Sequence, residues 1–267
     1  MFNWNDSYVS FLNLDKRPDR LAHVQKELSK AGISAVRTRG KLPQEFNLAD
    51  VKLQVMKRRT PGAIGCHFGQ VEIMTEALRQ KKSAVIFEDD VVFCSDMQKR
   101  IEYIESFLNK QDDWTFFFLG GTFHSNPAWW HKQGHSPDLQ MCRCSLHRDA
   151  ERTEDPRIMR VYGMFSTHAW IVNAKWVERV LDFLDKHVHL SMGIDWLTIL
   201  MQPMVNAYCM VPGCVKQMDN LSDIGSGVTR FSGFSMLGPY WWQDKMEDFN
   251  PDDHNWGEAE RQPITII

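Results

Sequence analysis

YVSFLNLDKRPDRLAHVQKELSKAG, residues 8–32, decides the fold. Tyr8 to Leu12 is a β-branched and aromatic run of strand character. NLDKRPDR follows at once, and then Leu21, Val24, Leu28 and Ala31 recur at spacings of three and four before Gly32. That periodicity predicts an amphipathic helix closed by a C-terminal glycine. Strand, polar loop and helix form the opening unit of an α/β sheet, in which ligands gather at the loops leaving the carboxyl ends of strands. NLDKRPDR therefore occupies a position suited to binding, although alone it is more simply a solvated charged turn.

Working outward, the same alternation recurs. Residues 36–59 are rich in Lys and Arg (Arg37, Arg39, Lys41, Lys52, Lys57, Arg58, Arg59), a loop that either faces phosphates or is a solvated face. TPGAIGCHFGQVEIMTEALRQKK reads as a turn leading into a helix with Val71, Met74, Ala77 and Leu78 on one side. Ser83–Phe87 is a buried type of strand, Ile101, Ile104, Phe107 and Leu108 mark a helix, and Trp114–Leu119 is the next strand, stopping at Gly120. Residues 122–160 are polar and aperiodic, as expected of a long functional loop or insertion. AWIVN (169–173) is again a strand, Val177, Val180, Leu181 and Leu184 make a helical stripe, and GIDW begins another helix with Asp195 near its start. The expected architecture is α/β: a Rossmann-like, mixed and mainly parallel sheet flanked by helices. Residues 1–235 form one domain and residues 236–267 an acidic, Trp-containing tail.

Composition narrows the class. The 267 residues are 43% hydrophobic and 24% charged, which excludes a fibrous or mainly disordered chain. A formal net charge of -3 gives no overall pull toward a polyanion, so generic nucleic-acid binding is disfavoured. No window approaches the ~18 consecutive apolar residues of a membrane span, and MFNWND lacks the basic and apolar regions of a leader. Together with six sparse cysteines, this points to a cytoplasmic protein with reduced thiols and no integral membrane segment. Ten tryptophans suit either sugar-stacking platforms or, more simply, core filling.

The chemistry concentrates in SAVIFEDDVVF, residues 83–93, where a hydrophobic strand runs into Glu88, Asp89 and Asp90. Unpaired buried carboxylates cost several kcal/mol each, so the cluster needs compensation. Alternation along extended backbone sends Glu88 and Asp90 to one face and Asp89 to the other, leaving two hard oxygen ligands together. Mg²⁺ and Mn²⁺ favour a few carboxylates plus substrate phosphates. An acidic strand-end turn facing solvent is the plainer alternative. Asp195 is either a general base or a cap of its helix, and His168 either a base or a satisfied core residue. His131, His135, Cys142, Cys144 and His147 cluster without the paired spacing of a zinc framework, so free thiols and surface histidines are expected.

VSFLNLDKRPDRL, GAIGCHFGQVEIM, AVIFEDDVVF and THAWIVN, taken in order and spacing, resemble glycosyltransferase family 25, which includes lipopolysaccharide and collagen galactosyltransferases. The resemblance spans roughly residues 8–225. It implies a GT-A-like fold and transfer of a sugar from a nucleotide-sugar donor, UDP-linked, to the hydroxyl of a glycan or other acceptor, with inversion. It also implies a divalent cation at the acidic motif, here Glu88, Asp89 and Asp90, with Glu88 and Asp90 as the ligands. Asn13, Arg17, Arg20, Asp89 and Asp223 are then the donor-binding residues, and Asp195 and His168 the candidates for catalysis. Asp219 and Asp223, in QMDNLSDIG, resemble the family's polar closing segment or are turn residues. Where the family usually shows a Ser-His pair, this chain has Gly69 and Gln70, with His67 nearby. A degenerate transferase fold that only binds, and a transferase acting on modified DNA bases, are the competing expectations.

Overall fold

The computed structural model describes residues 1–45, 61–123, 150–188, 193–218, 220–221, 228–229 and 244–248. Its strands are β1 (Tyr8–Leu14), β2 (Val36–Gly40), β3 (Ala84–Glu88), β4 (Val91–Phe93), β5 (Phe116–Phe118), β6 (Thr122–Phe123), β7 (Ala150–Arg152), β8 (Ile158–Val161), β9 (Met164–Phe165), β10 (Ala169–Val172), β11 (Ala207–Met210), β12 (Val215–Gln217), β13 (Asn220–Leu221) and β14 (Val228–Thr229). The α-helices are α1 (Pro18–Ala31), α2 (Pro61–Arg79), α3 (Met97–Leu108), α4 (Val177–His187) and α5 (Ile194–Met201). Eight strands form one sheet in the order β2-β1-β3-β10-β5-β11-β8-β7. The pairings of β1 with β2 and β3, and of β5 with β11, are parallel. The strands β10 and β8 run against their neighbours, so the other six share one direction. This is the expected mixed, mainly one-directional α/β sheet.

The sheet is buried on both faces because its central strands are apolar at every position. Ala84, Val85, Ile86 and Phe87 are all 0% exposed. Val85 and Phe87 join the core beneath α1 and α3, with Val24, Leu28, Ile101 and Ile104. Ala84 and Ile86 face the opposite core under α2, α4 and α5, with Ile73, Met74, Val180 and Leu197. Burying Val85, Ile86 and Phe87 contributes about 1.5–3 kcal/mol each. Trp4 and Trp114 fill the first core and Trp170 the second, with Trp176 and Trp196 packed against it, so the described tryptophans serve packing.

Three expectations change. Residues 36–40 are not loop but the edge strand β2, in which Arg37 and Arg39 pair with Asp15, and Arg39 also with Glu45. The stretch GAIGCHFGQ lies inside α2, which already starts at Pro61, rather than in a turn leading to it. Residues 150–161, expected in a loop, supply the antiparallel pair β7–β8 at the far edge. Within the tail, Asp244 accepts from the Ser95 amide and the Met246 amide donates to Asp96, fastening this segment to the start of α3. Among the described residues, no helix is long and apolar enough to cross a membrane.

The order β2-β1-β3 places a switch point between β1 and β3, the second and third strands of the sheet. The chain leaves β1 through α1 on one face to reach β2, then returns through α2 on the other face to reach β3. The crevice outside the carboxyl ends of β1 and β3 is where such sheets bind ligands.

Candidate active site

Parallel pairing sets Leu12 of β1 beside Glu88 of β3, so Asn13 and the acidic turn meet at the carboxyl edge. The turn is held by buried partners. Asp89 accepts from Asn13 Nδ2 at 2.7 Å and from Arg20 Nη1 at 2.9 Å. The same guanidinium nitrogen lies 3.3 Å from Asp90 Oδ2. Asn13 is steadied in turn by the Arg17 carbonyl and by Arg37 Nε. Arg17 donates to Asp19, with hydrogen bonds of 3.0 and 2.8 Å.

Glu88 and Asp90 converge as alternation requires. Gln217 Nε2, on β12, donates to Glu88 Oε2 at 3.3 Å and to Asp90 Oδ1 at 3.2 Å. The Met218 amide holds the Asp90 carbonyl, which locks β12 to the turn. On its other oxygen Glu88 accepts from Gln70 Nε2 at 3.2 Å and lies 3.4 Å from Cys66 Sγ. Burial, then the neighbouring Asp90 charge, pushes the Glu88 carboxyl up to about 8. Asp89 and Asp90 are also raised, first by burial, against the lowering pull of Asn13 and Arg20 on the former and of Arg20 and Gln217 on the latter.

Asp195 lies in the first turn of α5, past the N-cap Gly193, and its own Oδ1 accepts the Trp196 amide at 2.9 Å, so it satisfies one donor of the helix start. Its charge adds a smaller upward push to the Glu88 and Cys66 groups, after their burial. His168 precedes β10 and is 3% exposed. Its carbonyl accepts the Glu88 amide, and its Nε2 lies 3.3 Å from the Val215 carbonyl. Burial drives its pKa down to about 4, so the ring is neutral near pH 7. His67, 2% exposed, is likewise lowered by burial to about 4. Asp219, Asp223 and the cluster from His131 to His147 fall outside the described residues.

Beside the carboxylates lies a cleft of about 130 Å³ bounded by Asn13, Lys16, Arg20, Gly40, Gly65 and Glu88. The departure at residues 69–70 is steric on one side and polar on the other. A β-carbon on Gly69 would sit 2.4 Å from Leu12 Cδ1, so a serine there would require the Leu12 side chain to move aside. Gln70 is 0% exposed and bridges Glu88 to the Trp170 indole.

Among the described residues no group of three or more His, Cys, Asp or Glu side chains is set to hold a metal ion. The two carboxylate oxygens that meet at the Gln217 amide are hard donors of the kind Mg²⁺ and Mn²⁺ take beside phosphate and water, and a cation between them would take the place of that amide nitrogen. Gln70 and Gln217 were not among the sequence candidates. Gln70 was visible only as a departure from the family pair, and nothing in the sequence marks Gln217.

Comparison with known proteins places the chain. No curated protein matches it by sequence. Among solved structures, the glycosyltransferase GlyE of Streptococcus pneumoniae TIGR4 is similar at 11% identity and TM-score 0.39, over 75% of this chain and 45% of that one. A putative glucose-1-phosphate thymidylyltransferase from Bacillus anthracis, in complex with a sucrose, is similar at 10% identity and TM-score 0.37, over 78% and 69%. The chain thus spans less than half the length of GlyE. The model of glycosyltransferase family 25 (LPS biosynthesis protein) matches residues 7–198. That match covers most of the chain, including β1, the acidic turn and Asp195, and the protein therefore belongs to glycosyltransferase family 25.

Proposed function

We propose that the protein transfers a sugar from a nucleotide-sugar donor, UDP-linked, to an acceptor hydroxyl with inversion, with Mn²⁺ or Mg²⁺ held by Glu88 and Asp90. The observation that carries this reading is the convergence of Glu88 Oε2 and Asp90 Oδ1 on Gln217 Nε2 at the switch-point crevice. Buried like charges call for a counter-charge, and Arg20 answers chiefly to Asp89. A divalent cation there would neutralise the charge that builds on the departing diphosphate.

The chain's own residues supply the rest. Arg20 and Asn13 hold Asp89 so that the turn keeps its shape. Lys16 and the backbone around Gly40 and Gly65 line the cleft in which the donor lies. Asp195 accepts the proton of the incoming hydroxyl from the rigid start of α5. His168 is the weaker candidate for that step, since its ring is buried against the Val215 carbonyl. The acceptor is a glycan or another hydroxyl-bearing molecule. The cytoplasm is the proposed compartment, in keeping with Cys66, Cys94, Cys209 and Cys214 as free thiols.

The test is nucleotide release from a panel of nucleotide sugars, with Mn²⁺ and with EDTA. Cation-dependent release of UDP from one donor supports the reading. Binding without turnover of any donor would leave a degenerate binding module in its place, and cation-independent turnover would remove Glu88 and Asp90 as ligands.

A further inference from the structure

We propose that Trp170 and Gln70 are positioning residues that set which oxygen of Glu88 faces the cation, an inference that rests on the cation reading above and deepens it. The contacts begin in the core. Trp170, in β10, is 0% exposed, and an indole nitrogen can only donate. It donates to Gln70 Oε1 at 2.9 Å. With that oxygen engaged, Nε2 is the end of the amide left to face Glu88 Oε1 at 3.2 Å, Thr167 Oγ1 at 3.2 Å and the Thr167 carbonyl at 3.3 Å.

The two ends of a glutamine amide have almost the same shape, so sterics alone do not choose between them. Chemistry does. Turned over, the amide would set N–H against the indole N–H and oxygen against the Thr167 carbonyl. Gln70 has no exposed surface, so solvent does not relieve those contacts. A buried polar group left without a partner costs about 1–3 kcal/mol. The indole therefore fixes the polarity of the amide, and the amide pins Glu88 by Oε1.

Pinning one oxygen leaves the other to ligate. Glu88 Oε2 turns to Gln217, where it meets Asp90 Oδ1. Asp90 is held in the same manner, since its Oδ2 lies against Arg20 while Oδ1 faces Gln217. Mg²⁺ and Mn²⁺ demand near-octahedral geometry, and supporting partners that orient the ligands tune the affinity of such sites. Here the orientation is set by a tryptophan whose other duty is core packing against Phe116 and Phe118.

The experiment is direct Mn²⁺ binding to the full chain, followed by the electron paramagnetic resonance of free Mn²⁺ without donor. The proteins are wild type, Gln70→Met, Trp170→Phe and the double variant, with Gln70→Asn in place of Gln70→Met should the latter not fold. Each single substitution should weaken Mn²⁺ binding ~10–100-fold, as loss of supporting partners does. The double variant should bind no more weakly than Gln70→Met, because the indole acts through the amide. Trp170→Phe that lowers thermal stability without changing Mn²⁺ affinity overturns the relay. So do effects that multiply in the double variant, or wild-type affinity in Gln70→Met. Wild-type protein that binds no Mn²⁺ sinks the cation reading and this proposal together, an outcome distinct from binding that the variants leave unchanged.

Discussion

Glu88→Gln should stabilise the cation-free protein at alkaline pH while abolishing transfer. The Glu88 carboxyl is raised from 4.5 to about 8, first by burial and then by Asp90. Between those values the unfolded chain has released the proton and the native chain still holds it. Stability contributed by the protonated group is therefore complete below pH 4.5 and is lost as pH rises toward 8, at up to ~1.4 kcal/mol per pH unit. The neutral amide does not titrate, so the variant escapes this loss. Relaxation and water entry soften the cost of a buried charge, and the expected gain at pH 8 is ~1–4 kcal/mol. Asp89 and Asp90, raised as well, keep part of the slope, so the variant's curve flattens rather than levelling. Urea unfolding in EDTA at pH 5, 6, 7 and 8 measures it. Added Mn²⁺ should rescue wild-type stability at pH 8 and leave the variant nearly unmoved. Parallel pH curves for the two proteins would show that Glu88 carries no such burden and would refute the reasoning.

Arg20→Met should destabilise the fold by ~3–5 kcal/mol in urea titration, because it leaves Asp89 and Asp90 buried without their cation. Asp195→Asn should lower kcat by ~10²–10⁴-fold with donor affinity nearly unchanged, read by steady-state kinetics beside donor calorimetry. Its thermal stability should change by no more than ~1 kcal/mol, since the asparagine oxygen can still accept the Trp196 amide at the start of α5. Gly120→Ala should cost ~1–3 kcal/mol in thermal or urea unfolding, because its β-carbon would stand 1.7 Å from the Val215 carbonyl oxygen and the backbone would have to part.

The elements legible in the sequence are those whose burial is one-sided or complete. Helix α1 shows its stripe because Val24 and Leu28 face a core while Lys26 and Lys30 do not. Strand β3 shows as an apolar run because helices cover both faces of the sheet. Strand β2 is hidden because it lies at an edge and buries only Thr38 and Gly40 among arginines. The first turns of α2 are disguised by glycines that let the backbone approach its neighbours; a β-carbon on Gly65 would stand 2.8 Å from the Lys41 carbonyl. The acidic turn could be found because three successive carboxylates after a hydrophobic run are costly unless compensated. The amides that organise it could not. Gln70 and Gln217 lie far from Glu88 in the chain, and a single glutamine carries no pattern until folding brings it to its partner.

The strand β10 enters the sheet between β3 and β5, although it follows both in the chain. A ribosome-bound fragment that ends before Ala169 therefore holds β3 and β5 with an unfilled slot between them. Their exposed edges are ready partners for other chains, and closing such a long-range gap is slow. Glu88 receives its backbone bond to His168, and Gln70 its indole partner, only when this strand arrives. Even then the sheet lacks β11, and Glu88 and Asp90 lack their Gln217 donor on β12, until residues 207–217 follow, so chains stalled before Ala169 leave the edges of β3 and β5 exposed to aggregation.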